Sequence, residues 1–484
     1  MCKEAPLLAA FFKDGGIYGL IKAVTSSSHL LLLPIYTRAL STEAYGVLDF
    51  LTITANLVCI IVSLEITQGF ARFYCDAKSD EDKKGYASTT LWFSLAVYSL
   101  FLVISFVFSV ELGQYVFESP GYDHVIQVAA LAIWGKGIFS LVQNQLRYEL
   151  RPKHYAFASL VYIIILLVTL VVLNFGVMGV FIAQLAASLS GLMVGIYFTR
   201  SSYRWIFDRD KCVEMLRFSL PLVLSSAGVF FALYMDRIAI KSLMSMNDLG
   251  VYSVGYRVAT VISLALTGFQ MALTPLIYRN YKNESAPKEI EQVFRVFVAL
   301  VCPIILVATI FADDILSLMA TPDYASAHQV VFVLGMAFVF SNIYLFAPGV
   351  WIAKKTGWIT LINLVVAGIN LVLNYVLIPY FGILGAALAT CLSAFIGLSL
   401  YIILGQVLYP IPYRWFPIIA SFSLLFLIGI PTMLPAGAWG IVIGDLSIVV
   451  KLLILLLVSS GIALILLHKE KRVIFDKVFR KLNP

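Results

Sequence analysis

The chain has 484 residues, of which 61% are hydrophobic and 13% are charged, with a formal net charge of +7. An ordinary globular protein carries about a quarter charged residues, so this composition excludes a water-soluble domain and predicts a membrane protein. The six cysteines and five histidines show no metal-ligand spacing and no disulfide framework, and we expect no metal and no cofactor.

Apolar blocks recur along the whole chain, each bounded by charged residues, glycine or proline. A helix rises about 1.5 Å per residue, so about 20 apolar residues span the hydrocarbon core of a bilayer. We therefore predict an all-α polytopic membrane protein with about fourteen transmembrane helices. Their approximate ranges are 15–37, 44–69, 88–110, 122–146, 155–174, 177–199, 218–243, 249–275, 294–315, 326–350, 357–378, 382–408, 415–434 and 440–467.

Basic residues in the loops predict the orientation of these spans. Nearly all lysines and arginines outside the spans fall at the termini or in the even-numbered loops, and Arg38 and Lys241 are the exceptions. Cytoplasmic loops are enriched in Lys and Arg, so we expect both termini in the cytoplasm and a multi-pass protein of the bacterial inner membrane. The positive charge thus reflects topology, and we infer no nucleic-acid binding from it.

Two segments recur at nearly the same offset along the chain. Ser41–Val47 matches Ser245–Val251, and the run that begins at Phe175 matches the run that begins at Phe381. Each repeat contains six spans, an even number, so the two halves have the same orientation and form parallel lobes. The predicted domains are an N-lobe at 1–204, a cytosolic linker at 205–217, a C-lobe at 218–408, and two further helices with a basic cytosolic tail at 409–484.

Short motifs near the N-terminus carry a family resemblance. They are Gly15–Leu20, Leu33–Leu40, Tyr45–Asp49 and Gln68–Tyr74. This pattern resembles the polysaccharide-transport branch of the multidrug/oligosaccharidyl-lipid/polysaccharide (MOP) exporter superfamily, the Wzx-type O-antigen and capsule flippases. The resemblance implies a V-shaped bundle of two lobes. It also implies a lipopolysaccharide or capsule substrate, an undecaprenyl-diphosphate-linked oligosaccharide moved from the cytoplasmic to the periplasmic leaflet by alternating access.

Charges inside the predicted spans are the candidate functional residues. An unpaired charge at the centre of a bilayer costs about 2.5–3.5 kcal/mol on insertion scales, so an excess of buried cations needs an anionic partner or water. A lipid diphosphate is such an anion, and Lys or Arg from several helices can surround it. The basic candidates within spans are Lys22, Lys136, Arg237, Arg257 and Lys451, and the two clear acids are Glu65 and Asp236.

We expect Lys22, Lys136, Arg237 and Arg257 to line a cavity that binds the diphosphate. Lys136 is the strongest candidate because it is too deep to reach an interface and because the flanking Gly135 and Gly137 would open space around it. Lys22 and Arg257 lie nearer to helix ends, where a long side chain can also snorkel to the interface.

The remaining charges have two interpretations each. Asp236 is expected to pair with Arg257 on the next helix rather than with Arg237, because adjacent residues on a helix point about 100° apart. The pair of Asp236 with Arg257 would then be structural and not part of a substrate site. Alternatively, Asp236 is an ion-coupling group. Lys451 either lines a groove for the lipid tail or pairs with an acid on another helix.

Two candidates lie at the predicted cytosolic end of the second span. Glu65 is a candidate proton or sodium site, with a hydrogen bond to Gln68 or an ion pair with Arg72 as the structural alternative. Arg72 matches the family motif, and we expect it to meet the diphosphate at the cytosolic entrance or to mark topology.

The sequence contains no phosphate-binding loop, nucleophile motif or metal cluster typical of an enzyme. We therefore predict a transporter, driven by an ion gradient or by the membrane potential. Its expected partners are the lipid-diphosphate-linked oligosaccharide, membrane lipids, and a polysaccharide polymerase or chain-length regulator. The alternatives are a drug/cation antiporter of the same superfamily, a lipid II-type flippase, and a membrane scaffold for a glycan polymerase.

Overall fold

The protein is described here from a computed structural model. The structure describes residues 32–117, 122–172, 176–353, 355–433 and 446–467. Within these ranges the chain is helical, with short turns and no strand. Contacts between residues divide the chain into two compact units, Met1–Tyr234 and Met235–Pro484.

The first unit is built from eight described helices and the first part of a ninth. We number the helices in chain order within the described residues. They are α1 Leu33–Ala39, α2 Thr42–Ser63, α3 Ile66–Asp76, α4 Asp80–Val107, α5 Ser109–Phe117, α6 Asp123–Tyr148, α7 Pro152–Val172, α8 Gly176–Thr199 and α9 Arg209–Leu243.

The second unit begins within α9 and contains eight further described helices. These helices differ in length, from four residues to more than fifty. They are α10 Met246–Asn280, α11 Ala286–Ile310, α12 Ala312–Met319, α13 His328–Ile343, α14 Gly349–Ile352, α15 Thr356–Leu408, α16 Trp415–Met433 and α17 Ile448–Leu467.

The expected all-α membrane architecture is confirmed. Twelve segments of the described chain are long and apolar enough to cross a membrane. One of them, Gly357–Leu408, is broken at Gly382, where the backbone leaves helical geometry, and its two parts match the predicted spans 357–378 and 382–408. The predicted first span, 15–37, lies mostly outside the described residues, so the count of fourteen stays a prediction.

The division into units falls later in the chain than the predicted lobe boundary at 218. Part of the predicted linker belongs to α9, and this part of α9 packs on the first unit. The Gly69 N–H donates to Ser219 Oγ at 3.2 Å, and the Lys211 ammonium contacts the Asp82 carboxylate at 3.0 Å. The first half of α9 is therefore part of the first compact unit, although by sequence repeat it opens the second lobe.

The internal repeat predicted from the sequence has local structural counterparts. Ser41 caps the N-terminus of α2, and Ser245 caps α10 at the matching position, each through a side-chain oxygen that accepts a backbone N–H. Gly176 and Gly382, also equivalent in the repeat, both have positive φ angles, of 60° and 57°. An L side chain rarely adopts this conformation, so the same backbone requirement is met by glycine in both halves.

Close helix packing in the first unit centres on α6 and α8. A Cβ atom at Gly191 would lie 2.7 Å from the ring of Phe139, and one at Gly195 would lie 2.6 Å from Val142. Phe139 and Val142 belong to a buried apolar cluster with Tyr98, in α4. Gly191 therefore allows close helix approach, and the α4–α6–α8 packing holds the middle of α6 in place.

We predict that Gly191→Ala lowers the melting temperature of the protein purified in nanodiscs. The added methyl group overlaps the Phe139 ring, and overpacking of this kind costs about 1–3 kcal/mol. Gly228→Ala in α9 is the matched control, because no described atom would lie within 4 Å of its Cβ. The control should be neutral or slightly stabilising. Equal melting temperatures for the two variants would contradict this packing.

Candidate functional site

The second predicted span, 44–69, is interrupted in the structure. Leu64 and Glu65 are two consecutive residues in the left-handed region, with φ angles of 49° and 51°, between α2 and α3. Non-glycine residues in this region are uncommon and cost of order 1–3 kcal/mol each, and such strain is concentrated at functional sites. The equivalent helix of the other half, α10, runs unbroken over Met246–Asn280.

A polar cavity of about 260 Å³ opens beside this break. It lies within the first unit, between α2, α3, α4 and α6. Nine of its thirteen lining residues have side chains that form hydrogen bonds or carry charge. The polar members are Asn56, Ser63, Glu65, Thr67, Ser94, Tyr98, Lys136, Ser140 and Asn144.

Lys136 lines this cavity from the middle of α6. The helix spans Asp123–Tyr148, which places Lys136 about 18 Å along the axis from either end. Its side chain is exposed to the cavity space. Among the described residues, it forms no hydrogen bond and no ion pair. A cation at this depth without a protein partner is unfavourable in a bilayer, so the cavity must supply water or an anion.

The glycines beside Lys136 have a different role from the predicted one. A Cβ at Gly137 would collide with the Tyr98 ring, and one at Gly135 would lie 3.3 Å from Ser188. These glycines therefore allow α4 and α8 to pack closely on α6, rather than opening space around the lysine. The close contact places the Tyr98 ring in the cavity wall.

Glu65 lines the same cavity from the break. Neither structural alternative that the sequence offered is observed for its carboxylate. Arg72 pairs instead with Asp76 at 3.2 Å on an exposed surface, and Gln68 contacts Glu65 only through backbone atoms at 2.8 Å. In the described part of the chain, the Glu65 carboxylate has no hydrogen-bond or ion-pair partner. The cavity thus contains an acid and a base that do not neutralise each other directly.

The predicted pairing of Asp236 with Arg257 is wrong. Asp236 instead accepts from its chain neighbour Arg237 at 3.2 Å and from the Tyr252 hydroxyl. The long arginine side chain folds back along α9, and its guanidinium lies 3.8 Å from the centre of the Tyr256 ring. Asp236 and Arg237 are only 3% and 4% exposed, so they form a buried ion pair, and the Tyr256 ring covers the guanidinium. Arg257 lies half-buried beside Tyr256.

Lys451 is paired rather than placed in a lipid groove. Its side chain is fully buried and forms an ion pair with Asp314 of α12. It is also less deep than predicted, because α17 begins at Ile448 and Lys451 lies in its first turn. The structure therefore shows the pairing between helices that was the alternative. Lys22, the remaining candidate, lies outside the described residues.

One buried ion pair was missed from the sequence. Glu291 and Arg295 in α11 are 3% and 2% exposed and are 2.7 Å apart, and Arg295 also donates to the Leu466 carbonyl of α17 at 2.7 Å. Their spacing of four residues on a helix is the signal that could have identified the pair. Arg295 lies in the first turn of the predicted span 294–315 and Glu291 lies just before that span, and neither was among the candidate residues. Through Arg295, the pair links α11 to α17, the last described helix.

The comparison with known families decides what kind of protein this is. Residues 35–329, more than half of the chain, match a family model described as polysaccharide biosynthesis protein. The chain belongs to this family. The fold is that of the MOP exporter superfamily, as the N-terminal motifs indicated.

Relatives of known sequence and a solved structure are similar to the chain over different lengths. Lsg locus putative protein 1 of Haemophilus influenzae is 26% identical over 351 residues, 69% of this chain and 79% of that protein. A protein of Haloferax volcanii named probable low-salt glycan biosynthesis flippase Agl15 is 25% identical over 188 residues, 37% of this chain and 39% of its own. The structure of lipid II flippase MurJ, inward closed, superposes with a TM-score of 0.69 at 15% identity, covering 93% and 99% of the two chains.

We predict that Lys136→Cys, in a background without other cysteines, reacts with a charged, membrane-impermeant thiol reagent. Position 136 faces a polar cavity that water can fill, although it lies at mid-helix. Ile164→Cys is the matched control, because Ile164 is 55% exposed near the middle of α7 but lies on an apolar surface suited to lipid. Labelling should be on the order of tenfold faster at 136, because ionic reagents partition poorly into hydrocarbon. Equal labelling at both positions would contradict the hydrated cavity.

Proposed function

We propose that this chain is a flippase for an undecaprenyl-diphosphate-linked oligosaccharide, the repeat unit of an O-antigen, capsule or exopolysaccharide. In this proposal it moves the lipid from the cytoplasmic to the periplasmic leaflet of a bacterial inner membrane by alternating access, with both termini in the cytoplasm. Membership of a polysaccharide biosynthesis family and the flippase named among its relatives support the substrate class. The observation that carries the proposal is Lys136 without a protein partner in the polar cavity.

The diphosphate is the group that this cavity can bind. A lipid-linked sugar has a long apolar tail that stays in the bilayer and a polar head that must cross it. Crossing is costly because the diphosphate oxygens lose their hydration. Lys136 can replace part of that hydration with a charge-assisted hydrogen bond, and Asn56, Asn144 and Ser140 can donate further hydrogen bonds. The cavity would thus lower the barrier at mid-membrane.

The other predicted cations have unequal support. Arg237 is buried in its pair with Asp236 and Tyr256, which favours a structural role unless the pair opens during transport. Lys22 and Arg257 remain candidate ligands of the diphosphate, because both are cations within predicted spans, where a charge needs an anionic partner or water. Arg72 is exposed at the end of α3, in agreement with a proposed role at the cytosolic entrance.

Glu65 is the candidate for coupling to an ion. Its carboxylate shares the cavity with Lys136 without contacting it directly, and it lies at the strained break between α2 and α3. A proton or sodium ion on Glu65 would remove its negative charge when a diphosphate enters the same cavity. This step links ion binding to substrate binding, because an unneutralised carboxylate would repel the phosphate oxygens.

The cavity argues against a drug/cation antiporter. A cationic substrate calls for an excess of acids, whereas the lining of this cavity contains one lysine and one glutamate. Once the glutamate takes up a cation, the net charge of the cavity is positive. Such a site selects an anion.

We predict that Lys136→Ala reduces flipping of undecaprenyl-diphosphate-linked sugar in proteoliposomes by about 10- to 100-fold. The loss corresponds to one hydrogen bond to a charged group, worth roughly 1.5–3 kcal/mol. Lys136→Arg should keep much of the activity because it keeps the charge. The measurement is protection of a labelled sugar from a membrane-impermeant glycosidase.

Lys78→Ala is the matched control for this experiment. Lys78 is an exposed lysine in the turn between α3 and α4, outside the cavity, so its removal should leave flipping unchanged. Full activity of Lys136→Ala at wild-type expression would overturn the proposal. Transport of cationic dyes together with failure to move the lipid-linked sugar would instead favour the antiporter.

We predict that Glu65→Gln abolishes the response of flipping to an imposed proton or sodium gradient. The amide imitates a neutralised carboxylate of nearly the same shape, so substrate binding should be retained while coupling is lost. The measurement compares initial rates with and without each gradient in wild type and variant. Asp76→Asn, which changes an exposed acid on the adjoining helix α3, should respond to the gradients as wild type does. A gradient response that survives in Glu65→Gln would exclude Glu65 as the coupling site.

A further inference from the structure

A second cavity, of about 350 Å³, lies within the second unit. It is formed where α13 ends, α14 turns the chain, and both segments of α15 pass. Three aromatic side chains form one wall: the ring of Trp351 lies 5.0 Å from those of Tyr344 and Tyr401, nearly parallel to both. The volume falls in the range of about 300–1,000 Å³ that is usual for small-molecule sites.

The aromatic wall is fixed by a close backbone contact. A Cβ at Gly349 would collide with the carbonyl of Gly405, and one at Gly405 would lie 3.2 Å from the carbonyl of Ala347. These glycines bring the turn containing α14 directly against α15. In addition, the Tyr413 hydroxyl donates to the Phe346 carbonyl. The pocket is therefore preorganised, which reduces the entropy lost when a ligand binds.

Polar groups line the pocket together with the aromatic rings. Asn363 accepts a hydrogen bond from the Tyr401 hydroxyl at 3.0 Å through its carbonyl oxygen. In the described chain its amide nitrogen and the Ser341 hydroxyl have no hydrogen-bond partner. Asn363 is exposed about 10 Å along α15 from Thr356. Amide and hydroxyl groups at such a position are costly against hydrocarbon, so a polar ligand or water must occupy the pocket.

The chemistry of the lining distinguishes between possible ligands. A lipid tail would leave the Asn363 and Ser341 donors unsatisfied. A cation could lie over the aromatic rings, but the lining of this pocket contains no acid to neutralise it. A sugar ring has one face of C–H groups that packs against aromatic rings and a rim of hydroxyls that bind amides and hydroxyls. Of these ligands, only the sugar can contact the aromatic rings and also bind Asn363 and Ser341.

We propose that this pocket binds a sugar unit, as a glycan site separate from the cavity that contains Lys136. The presence of a sugar site does not depend on the proposed function. The further step, that this sugar is part of the transported lipid-linked oligosaccharide, rests on the proposed function. The tyrosine and tryptophan rings stack on the sugar ring, and Asn363 and Ser341 bond its hydroxyls. The site would recognise the glycan independently of the diphosphate.

Saturation-transfer NMR on the full-length chain in nanodiscs tests this site. The probes are glucose, galactose, N-acetylglucosamine, rhamnose and glucuronate as free sugars, with farnesol and tetramethylammonium as lipid and cation probes. At least one sugar should give signals from its ring C–H protons. These signals should disappear in Trp351→Ala and in Ser341→Trp, which fills the pocket from an exposed position without removing a packed side chain.

Trp358→Ala is the matched control, because Trp358 is 46% exposed at the start of α15 and does not line the pocket. Its signals should equal those of wild type. Absence of a signal for every sugar, signals that persist in Ser341→Trp, or pocket-dependent signals from farnesol or tetramethylammonium alone would each overturn the proposal. The free sugars carry no lipid or diphosphate, so failure here leaves the flipping result unaffected, and failure of flipping leaves a sugar signal intact.

Discussion

A charge or polar group held at the level of the hydrocarbon core must be compensated, and this constraint organises the whole molecule. Most embedded charges meet it inside the protein: Arg237 pairs with Asp236, and Lys451 pairs with Asp314. Within the described structure, Lys136 forms no hydrogen bond or ion pair with the protein. Arg237 and Lys451 are buried and have protein partners, whereas Lys136 is exposed to a polar cavity, which indicates a place for an external anion.

The frame that holds this cavity depends on close packing rather than on charge. Gly191 and Gly137 let the rings of Phe139 and Tyr98 lie directly on helix backbones, and Trp134 Nε1 donates to Ser99 Oγ at 3.1 Å, so packing and one neutral hydrogen bond fix the position of Lys136. The strained backbone at Glu65 lies in one half of the repeat, whereas the equivalent helix in the other half is continuous. The two halves share the serine caps and the glycines with positive φ, but the broken helix and its acid belong to the first.

Span lengths, loop charges and the repeat predicted the helical membrane fold, because hydrophobic length and glycine or serine positions are local properties of a sequence. The partners of Asp236 were not predictable, because they depend on how an arginine side chain folds over Tyr256. The sequence identified Lys136 and Glu65 separately. That both line one cavity follows from a backbone break at Leu64, a non-glycine residue with no signal for left-handed geometry.

The most direct test of the central claim is binding of a lipid diphosphate without its sugar. Calorimetry with farnesyl diphosphate and farnesyl monophosphate, on the purified full-length chain, isolates the contribution of the anionic group. The account predicts that the diphosphate binds more tightly than the monophosphate. It also predicts that Lys136→Ala weakens diphosphate binding by about tenfold or more, as expected for a lost charge-assisted hydrogen bond, while Lys78→Ala does not. Equal diphosphate affinity in wild type and Lys136→Ala would contradict it.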